Sequence, residues 1–94
     1  MFIYVIGNDT NKQKIGFSKD VNKRLKSLQT GNPEPLKIHH FEEVPDTRAR
    51  ILERKLHKEL GYIRLNGEWF DMSPIDAKRM LQFMMIRWLD DTNI

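Results

Sequence analysis

Four side chains from separate stretches of the chain have the types needed to hydrolyse a phosphodiester bond. That chemistry requires a cation near the phosphate, an oxygen ligand for a divalent metal, and a group that takes a proton from water. Arg24 offers the cation and Glu53 the oxygen ligand, and Tyr4 or Lys14 offers the third group. The strands and helices that carry these residues decide whether they can meet.

Each of these side chains also has a purely structural interpretation. Arg24 is one of several bases on its helix. Glu53 has Arg50 and His57 within one turn as partners for exposed ion pairs, which contribute only about 0.3–0.5 kcal/mol each. Tyr4 is compatible with a packed ring whose hydroxyl reaches the rim of the sheet. The residue types alone leave both interpretations open.

Two adjacent histidines, His39 and His40, offer a general base near neutral pH. Neighbouring residues of a strand point to opposite faces, so at most one of the two reaches a given cleft. We take His40 as the catalytic candidate. The alternative is that one histidine is structural and the other faces solvent.

The composition restricts the classes of protein to which the chain can belong. It has 94 residues, a formal net charge of +3 and no cysteine, and its pI is about 9.3. A disulfide framework, a zinc–thiolate site and thiol catalysis are therefore excluded, and the basic balance favours nucleic acid as a partner. No apolar run approaches the roughly 18 residues of a membrane span, and the first residues lack signal-peptide features. We expect a single cytoplasmic domain over residues 1–94.

The chain begins with two predicted strands, which carry Tyr4 and Lys14. Phe2 to Ile6 is β-branched, aromatic and almost continuously apolar, which indicates a strand buried on both faces. Turn-forming residues follow, and Lys14 to Phe17 resumes extended structure, so the two strands should form an antiparallel hairpin. Across this hairpin Lys14 would approach Tyr4.

Arg24 lies on the first predicted helix, beside its apolar face. Ser18 or Asp20 can cap this helix, and Gly31 permits a left-handed residue at its end. The apolar face has helical spacing and consists of Val21, Leu25 and Leu28. The basic residues around it, which we expect to contact nucleic acid, are Lys19, Lys23 and Lys26.

Glu53 lies on the second predicted helix, again beside a buried stripe. A third strand over residues 36–44 precedes this helix, and one of its faces is expected to consist of Leu36, Ile38 and His40. Asp46 is the predicted N-cap of the helix, and Gly61 lies where a C′ glycine is expected after its last turn. The buried stripe consists of Ala49, Leu52, Leu56 and Leu60.

A short extended segment and a last helix complete the chain. Glu68 to Phe70 forms a short strand or an anchored loop, and Ser73-Pro74 starts a helix that runs to about Leu89. Its core stripe is expected to consist of Ile75, Met80 or Leu81, Met84 and Trp88. Because residues 83–86 are all apolar, the helix is either fully covered or meets a second copy of the chain. The order β-β-α-β-α-α predicts an α+β fold, a small three-stranded antiparallel or mixed sheet flanked by helices.

In this order and at these spacings, the residues resemble the GIY-YIG nuclease superfamily. Ile3-Tyr4-Val5 matches its first motif. Lys14-Ile15-Gly16 matches the second motif in the form carried by a branch associated with phages and bacteria. Arg24 lies ten residues after Lys14, where the family's arginine is expected. Glu53, in the pattern Glu-x-x-Leu-His, matches the metal-binding glutamate.

The resemblance continues beyond the second helix. Asn66 lies where many members have a supporting asparagine, and Gly67-Glu68-Trp69-Phe70 matches the closing segment of the branch. Gly16, Trp69 and Phe70 are then structural residues of the motifs. The match covers about residues 2–72, and a C-terminal helix over about 74–89 follows.

The resemblance implies a DNA endonuclease that uses one Mg²⁺ or Mn²⁺ ion in a bacterial or phage-infected cell. Glu53 would bind the metal, Arg24 would stabilise the charged phosphate, and Tyr4 would help to activate water. Lys14 departs from the family, in which tyrosine is usual at this position. A protonated lysine is a poor base, so we expect Lys14 to contact phosphate while Tyr4 or a histidine activates water.

Two other functions are compatible with the sequence. The chain could be a nucleic-acid-binding module that keeps the fold without cutting, or a phage adaptor that uses its apolar last helix. The carboxylate of Glu53 distinguishes the first of these, since a pure binder gains nothing from negative charge near phosphate without a metal. A net charge of +3 is modest for an isolated DNA binder, which favours dimerisation, a partner, or a structured substrate.

Overall fold

The fold is an antiparallel sheet with one helix on one face and two helices on the other. The computed structural model describes residues 1–66 and 69–91, without the side chains of Tyr62, Arg64, Asn66 and residues 88–91. In chain order the elements are β1 (Phe2–Gly7), β2 (Lys12–Ser18), α1 (Val21–Gln29), β3 (Lys37–Glu43), α2 (Asp46–Glu59), a 3₁₀ turn (Gly61–Ile63), β4 (Arg64–Asn66), β5 (Trp69–Asp71) and α3 (Pro74–Asp91).

The five strands lie in the order β3-β1-β2-β5-β4, and every neighbouring pair is antiparallel. The predicted α+β class is therefore confirmed, and two short strands enlarge the sheet beyond the three expected. In the predicted β1–β2 hairpin, Tyr4 lies opposite Gly16 and Ile6 opposite Lys14. β5 pairs with β2 only over Lys12 to Lys14. In the described part of the chain, the outer edge of β2 beyond Lys14 thus has no strand partner.

The sheet separates two apolar clusters, because successive residues of β1 point to opposite faces. On one face Tyr4 and Ile6 pack with Val21 of α1 and with Leu36. The cluster on the other face contains Ile3, Val5 and Ile15 together with Ala49, Leu52, Leu56 and Leu60 of α2 and Ala77, Leu81, Met84 and Met85 of α3. The prediction that the first strand is buried on both faces is confirmed, as is the predicted α2 stripe.

The ends of α1 follow the local chemistry of the sequence. Of the two predicted caps, Asp20 is the one used, and its carboxylate accepts a hydrogen bond from the backbone N–H of Lys23 at 3.0 Å. The hydroxyl of Ser18 instead bonds the backbone of Asp20. Gly31 has a φ of 82°, so the predicted left-handed residue after the helix is confirmed.

The predicted arrangement of β3 is wrong for His40. The register between β1 and β3 shifts between Val5 and Ile6, so that Ile6 lies opposite Ile38 while Val5 lies opposite His40. A bulge adds one residue to a strand and thereby reverses the face of the residues beyond it. Ile38 consequently packs on the α1 face, whereas His40 shares the face of Val5.

The predicted N-cap of α2 is wrong, whereas Gly61 lies at the expected C′ position, directly after the C-cap Leu60. Pro45 occupies the N-cap position without a side-chain hydrogen bond, and Asp46 lies in the first turn. Its carboxylate instead accepts a hydrogen bond from the amino group of Met1 at 3.0 Å. Gly61 begins the 3₁₀ turn, and Gly31 is the one glycine with positive φ in the described ranges. The chain therefore leaves α2 without a left-handed residue.

The last helix starts as predicted, but its core stripe differs. The Ser73 hydroxyl accepts a hydrogen bond from the N–H of Asp76 at 3.1 Å. Ile75 was expected in the core and is 62% exposed, and Phe83 and Ile86 are 62% and 68% exposed. The predicted core position of Trp88, and the roles predicted for the Asn66 side chain, Gly67 and Glu68, lie outside the described residues.

Candidate active site

The first half of the candidate site is a hollow along α1, beside the end of β2. It is lined by Ser18, Lys19, Asp20, Lys23, Arg24 and Ser27. We call it the α1 hollow. The carboxylate of Asp20 is engaged in capping the helix. The side chain of Arg24 is exposed, and its guanidinium has no hydrogen-bonding partner among the described residues. A guanidinium in this situation can offer two parallel donors to phosphate oxygens.

The three lysines predicted to contact nucleic acid do not all share this hollow. Lys19 and Lys23 line it together with Arg24. Lys26 is exposed in the last turn of α1 and is absent from the lining. Two of the three predicted lysines therefore lie beside Arg24, and the third lies farther along the helix.

The second half is a hollow along α2 on the other face of the sheet. Its lining is Phe17, Arg50, Glu53, Arg54, His57 and Lys58. We call it the α2 hollow. Glu53 is half-buried there, and it is the carboxylate of the hollow, with three basic side chains around it. In the sequence, Arg50 and His57 were considered only as ion-pair partners, and Arg54 and Lys58 were given no role, although their charge spacing along α2 was an available signal.

His57 connects α2 to β2 at the edge that has no strand partner in the described part of the chain. Its Nε2 donates a hydrogen bond to the Ile15 carbonyl at 2.9 Å, and its ring meets Phe70 edge to face with centroids 5.2 Å apart. Glu53 precedes His57 by one helical turn, which separates Cβ atoms by about 6 Å. The carboxylate thus lies near the free end of β2. Sequence reasoning missed this role of His57, although its spacing from Glu53 was visible.

The two hollows adjoin at the end of β2. Phe17 lines the α2 hollow and Ser18 lines the α1 hollow, and consecutive residues of a strand point to opposite faces. Arg24 and Glu53 therefore flank a single strand end from its two sides. The arrangement can place cations and a carboxylate around one phosphate that lies across this end.

Tyr4 packs on the α1 face of the sheet with Ile6, Val21 and Leu36, and it is absent from the linings of both hollows. A methyl group at Gly16 would lie 2.7 Å from the Tyr4 hydroxyl oxygen and 3.0 Å from its Cζ atom, so only glycine fits beneath the ring. Tyr4 is 1% exposed. The ring is consequently buried, and close packing against Gly16 of β2 fixes the position of its hydroxyl.

Lys14 lies on the same face as Tyr4, since it is opposite Ile6 in the hairpin. Its ammonium lies 5.6 Å from the centroid of the Trp69 ring, and that of Lys12 lies 5.3 Å from the same ring. Such cation–π contacts hold a lysine in place while its charge is retained. Trp69 therefore positions Lys14, and the fully buried Phe70 supports His57.

Comparison with known families adds an independent observation. The model of the T5orf172 domain family matches residues 1–85. The chain belongs to this family. T5orf172 is a phage-associated, nuclease-related domain that interacts with DNA. No curated protein and no solved structure is significantly similar to the chain.

The histidines of β3 lie apart from both hollows of this T5orf172 domain. The ring nitrogen Nε2 of His40 lies 3.0 Å from a Glu42 carboxylate oxygen, and Nε2 of His39 contacts the carbonyls of Gly7 and Asn8. β1 separates β3 from β2. The structure does not bring His40 to Arg24 or Glu53, and the histidine beside Glu53 is His57.

The donor set fits one kind of metal ion. The described residues contain no group of three or more histidine or acidic side chains that could enclose a metal. Mg²⁺ is commonly held by one or two carboxylates and keeps several waters until substrate phosphates replace them. The single carboxylate of the α2 hollow suits an ion of this kind, and its basic neighbours would oppose binding in the absence of phosphate.

Membrane association through a spanning helix finds no support. Over the described ranges, no helix combines the length and apolar character required to cross a bilayer.

Proposed function

We propose that this T5orf172 domain is a metal-dependent endonuclease that hydrolyses phosphodiester bonds in DNA. One observation carries the proposal: the free end of β2 has the cationic α1 hollow on one side and the Glu53-containing α2 hollow on the other. Membership of a nuclease-related family supports it. A phosphate lying across the strand end would meet Arg24 on one side and Glu53 on the other.

Each residue has a specific role in this proposal. Arg24 donates hydrogen bonds to the phosphate oxygens as their negative charge increases. Glu53 holds Mg²⁺ or Mn²⁺, which, when bound, would neutralise phosphate charge and make water a better nucleophile. Tyr4 orients water, and Lys14, held by Trp69, contacts phosphate. Neighbouring phosphates are contacted by Lys19, Lys23 and Lys26.

A second function, nucleic-acid binding without cleavage, is favoured by one feature. Tyr4 is almost completely buried, and a general base works best when water can reach it. Glu53 distinguishes the two functions, because a carboxylate near phosphate repels DNA unless a metal lies between them. Replacing Glu53 should therefore abolish cutting in a nuclease, and should preserve or strengthen DNA binding in either case.

The test uses supercoiled plasmid together with branched and single-stranded DNA, with Mg²⁺ or Mn²⁺ and then with chelator. We expect cleavage that requires the metal and falls by about 10²–10³-fold in Glu53→Gln. Glu59→Gln, an exposed glutamate in the last turn of α2, is the matched control and should cut normally. Equal cleavage by the two variants would overturn the nuclease assignment. If the wild-type chain binds DNA without cleaving it, the function is nucleic-acid binding and not hydrolysis.

We also propose that α3 pairs with α3 of a second copy. The exposed Ile75, Phe83 and Ile86 lie at helical spacing on one side of the helix. Asp76 and Arg87 are three turns apart on one flank of that stripe, and both are exposed. In an antiparallel pair each flank faces itself, so Asp76 of either copy would meet Arg87 of the other. This reciprocity is what a two-fold interface requires.

The oligomeric state tests this pairing. The wild-type chain should have the mass of a dimer by light scattering, and Phe83→Glu should be monomeric because it buries a charge in the stripe. Phe41→Glu changes an exposed phenylalanine on β3 and should remain dimeric. A monomeric wild-type chain at high micromolar concentration would refute the interface.

A further inference from the structure

We propose that a row of cations on α2, formed by Arg50, Arg54 and Lys58, binds the nucleic-acid backbone on the side of the scissile phosphate opposite to the α1 cations. We call it the α2 row. Nothing in the family match or in the sequence motifs points to these residues. The inference rests on the nuclease function proposed above, and it adds a second contact surface for the substrate.

The spacing of the three cations along α2 matches the spacing of phosphates along a nucleic-acid strand. The residues recur at intervals of four, so they lie along one side of α2, and all three line the α2 hollow beside Glu53. With a rise of 1.5 Å per residue the row is about 12 Å long. One strand of duplex DNA carries a phosphate about every 3.4 Å along its axis, so a row of this length spans about three nucleotides.

The charges of the row repel one another along the helix. All three side chains are exposed, and none makes a hydrogen bond or ion pair with any residue in the described ranges. Like charges four residues apart destabilise a helix by about 0.2–0.5 kcal/mol per pair, which the position of Lys58 in the last turn partly offsets through the helix dipole. A polyanion across the row would neutralise the repulsion.

The α2 row and the α1 hollow lie on opposite sides of the same end of β2. Phe17 and Ser18 separate the two surfaces at the free end of β2. A strand of nucleic acid that crosses this end would contact Lys19 and Lys23 before the reacting phosphate and the α2 row after it, or in the reverse order. Contacts on both sides would hold the phosphate near Glu53.

The experiment compares two double variants that remove equal charge. Arg54→Gln/Lys58→Gln removes two cations of the row, and Lys37→Gln/Lys78→Gln removes two exposed lysines of β3 and α3. Binding of a fluorescent DNA duplex is measured by anisotropy in chelator over a range of salt concentrations. We expect the row variant to bind at least tenfold more weakly and to reduce the slope of log K against log salt by about 1.8, or 0.9 per phosphate contact. The control should change little.

Folding of the variants is checked by thermal unfolding. The row variant should melt close to the wild-type temperature, because relief of the repulsion along α2 offsets the loss of Lys58 from the last turn of the helix. A large fall in melting temperature, or equal losses of affinity in the two double variants, would overturn the proposal.

Cleavage assays separate failure of the row from failure of the nuclease assignment. If the row variant binds and cuts as the control does while Glu53→Gln is inactive, the row is refuted and the nuclease remains. If the row variant binds weakly but cleavage does not depend on Glu53, the row is supported and the nuclease assignment fails. A wild-type chain that binds no DNA at low salt, where phosphate contacts are strongest, refutes both.

Discussion

The two faces of the sheet contribute to the free end of β2 in different ways. On the α1 face the cations are local, since α1 begins at Val21, three residues after β2 ends at Ser18. On the α2 face, Glu53 depends on long-range packing, because the bond from His57 to the Ile15 carbonyl joins residues 42 positions apart. Substitutions of the exposed α1 cations should therefore change function with little effect on folding, whereas substitutions that loosen α2 should change both.

The largest expected effect in this comparison concerns Arg24. Arg24→Ala should lower the cleavage rate constant by about 100-fold, since it removes a charged donor to the phosphate, and should leave the unfolding free energy unchanged because the side chain is exposed. Arg24→Lys should recover only part of the rate, because lysine cannot donate two parallel hydrogen bonds.

Lys23→Ala is the comparison variant, because Lys23 lines the same hollow. It should raise KM more than it lowers kcat, as expected for a contact made equally in substrate and transition state. Identical kinetic profiles for Lys23→Ala and Arg24→Ala would mean that Arg24 is only one phosphate contact among several.

On the α2 face, His57→Ala should lower both stability and cleavage. It leaves the Ile15 carbonyl without its donor and removes the ring contact with Phe70, a loss of about 1–3 kcal/mol in the unfolding free energy, measured with urea. DNA binding through the α1 cations should persist. His57→Gln keeps an N–H donor and should recover part of the loss. A stable but inactive His57→Ala would instead indicate that His57 acts directly on the substrate.

The fixed position of Tyr4 on the α1 face can be tested at Gly16. Gly16→Ala would place a methyl group 2.7 Å from the buried Tyr4 hydroxyl oxygen, and overpacking of this kind typically costs about 1–3 kcal/mol. Gly61→Ala is the matched control, because no atom lies within 4 Å of the added methyl; it should be neutral or stabilising. If both substitutions leave the urea midpoint unchanged, the contact between Gly16 and Tyr4 can accommodate an added methyl group, and the position of Tyr4 is not fixed by this packing.

The same division between local and long-range features explains how much the sequence could predict. The hairpin, the cap and end of α1, and the stripe of α2 follow from periodicity and turn chemistry over short stretches. The side of β3 on which His40 lies could not be predicted, because the bulge depends on the pairing with β1. In α3, apolar residues occur all around the helix, so that periodicity could not choose between Ile75 and Ala77.

In the candidate site too, the features set by local geometry could be predicted and those set by distant contacts could not. Tyr4 and Lys14 share a face, as hairpin geometry predicts. In the described residues β5 pairs with β2 only as far as Lys14, and the Ile15 carbonyl accepts its hydrogen bond from His57 of α2. No local pattern specifies such a distant contact, so the sequence placed His57 beside Glu53 but could not predict its bond to β2.

The smallest expected effect is at the other end of α2, where Asp46 meets the amino group of Met1. The hydrogen bond from this amino group, followed by its charge, lowers the pKa of the Asp46 carboxyl below its ordinary value of 3.8. Because the pKa is lower in the folded state, the contact stabilises the fold above the ordinary pKa. This contribution is lost as the pH falls through the lowered pKa.

Asp46→Asn measures this contribution. The wild-type chain should be slightly more stable than the variant near neutral pH, and the difference should shrink towards zero in acid. Since the carboxylate is 66% exposed, salt should reduce the difference further. A difference that survives acid and high salt would mean that the substitution acts through something other than the charge of Asp46, because the contact with Met1 and the interaction with the helix dipole both require the ionised carboxylate.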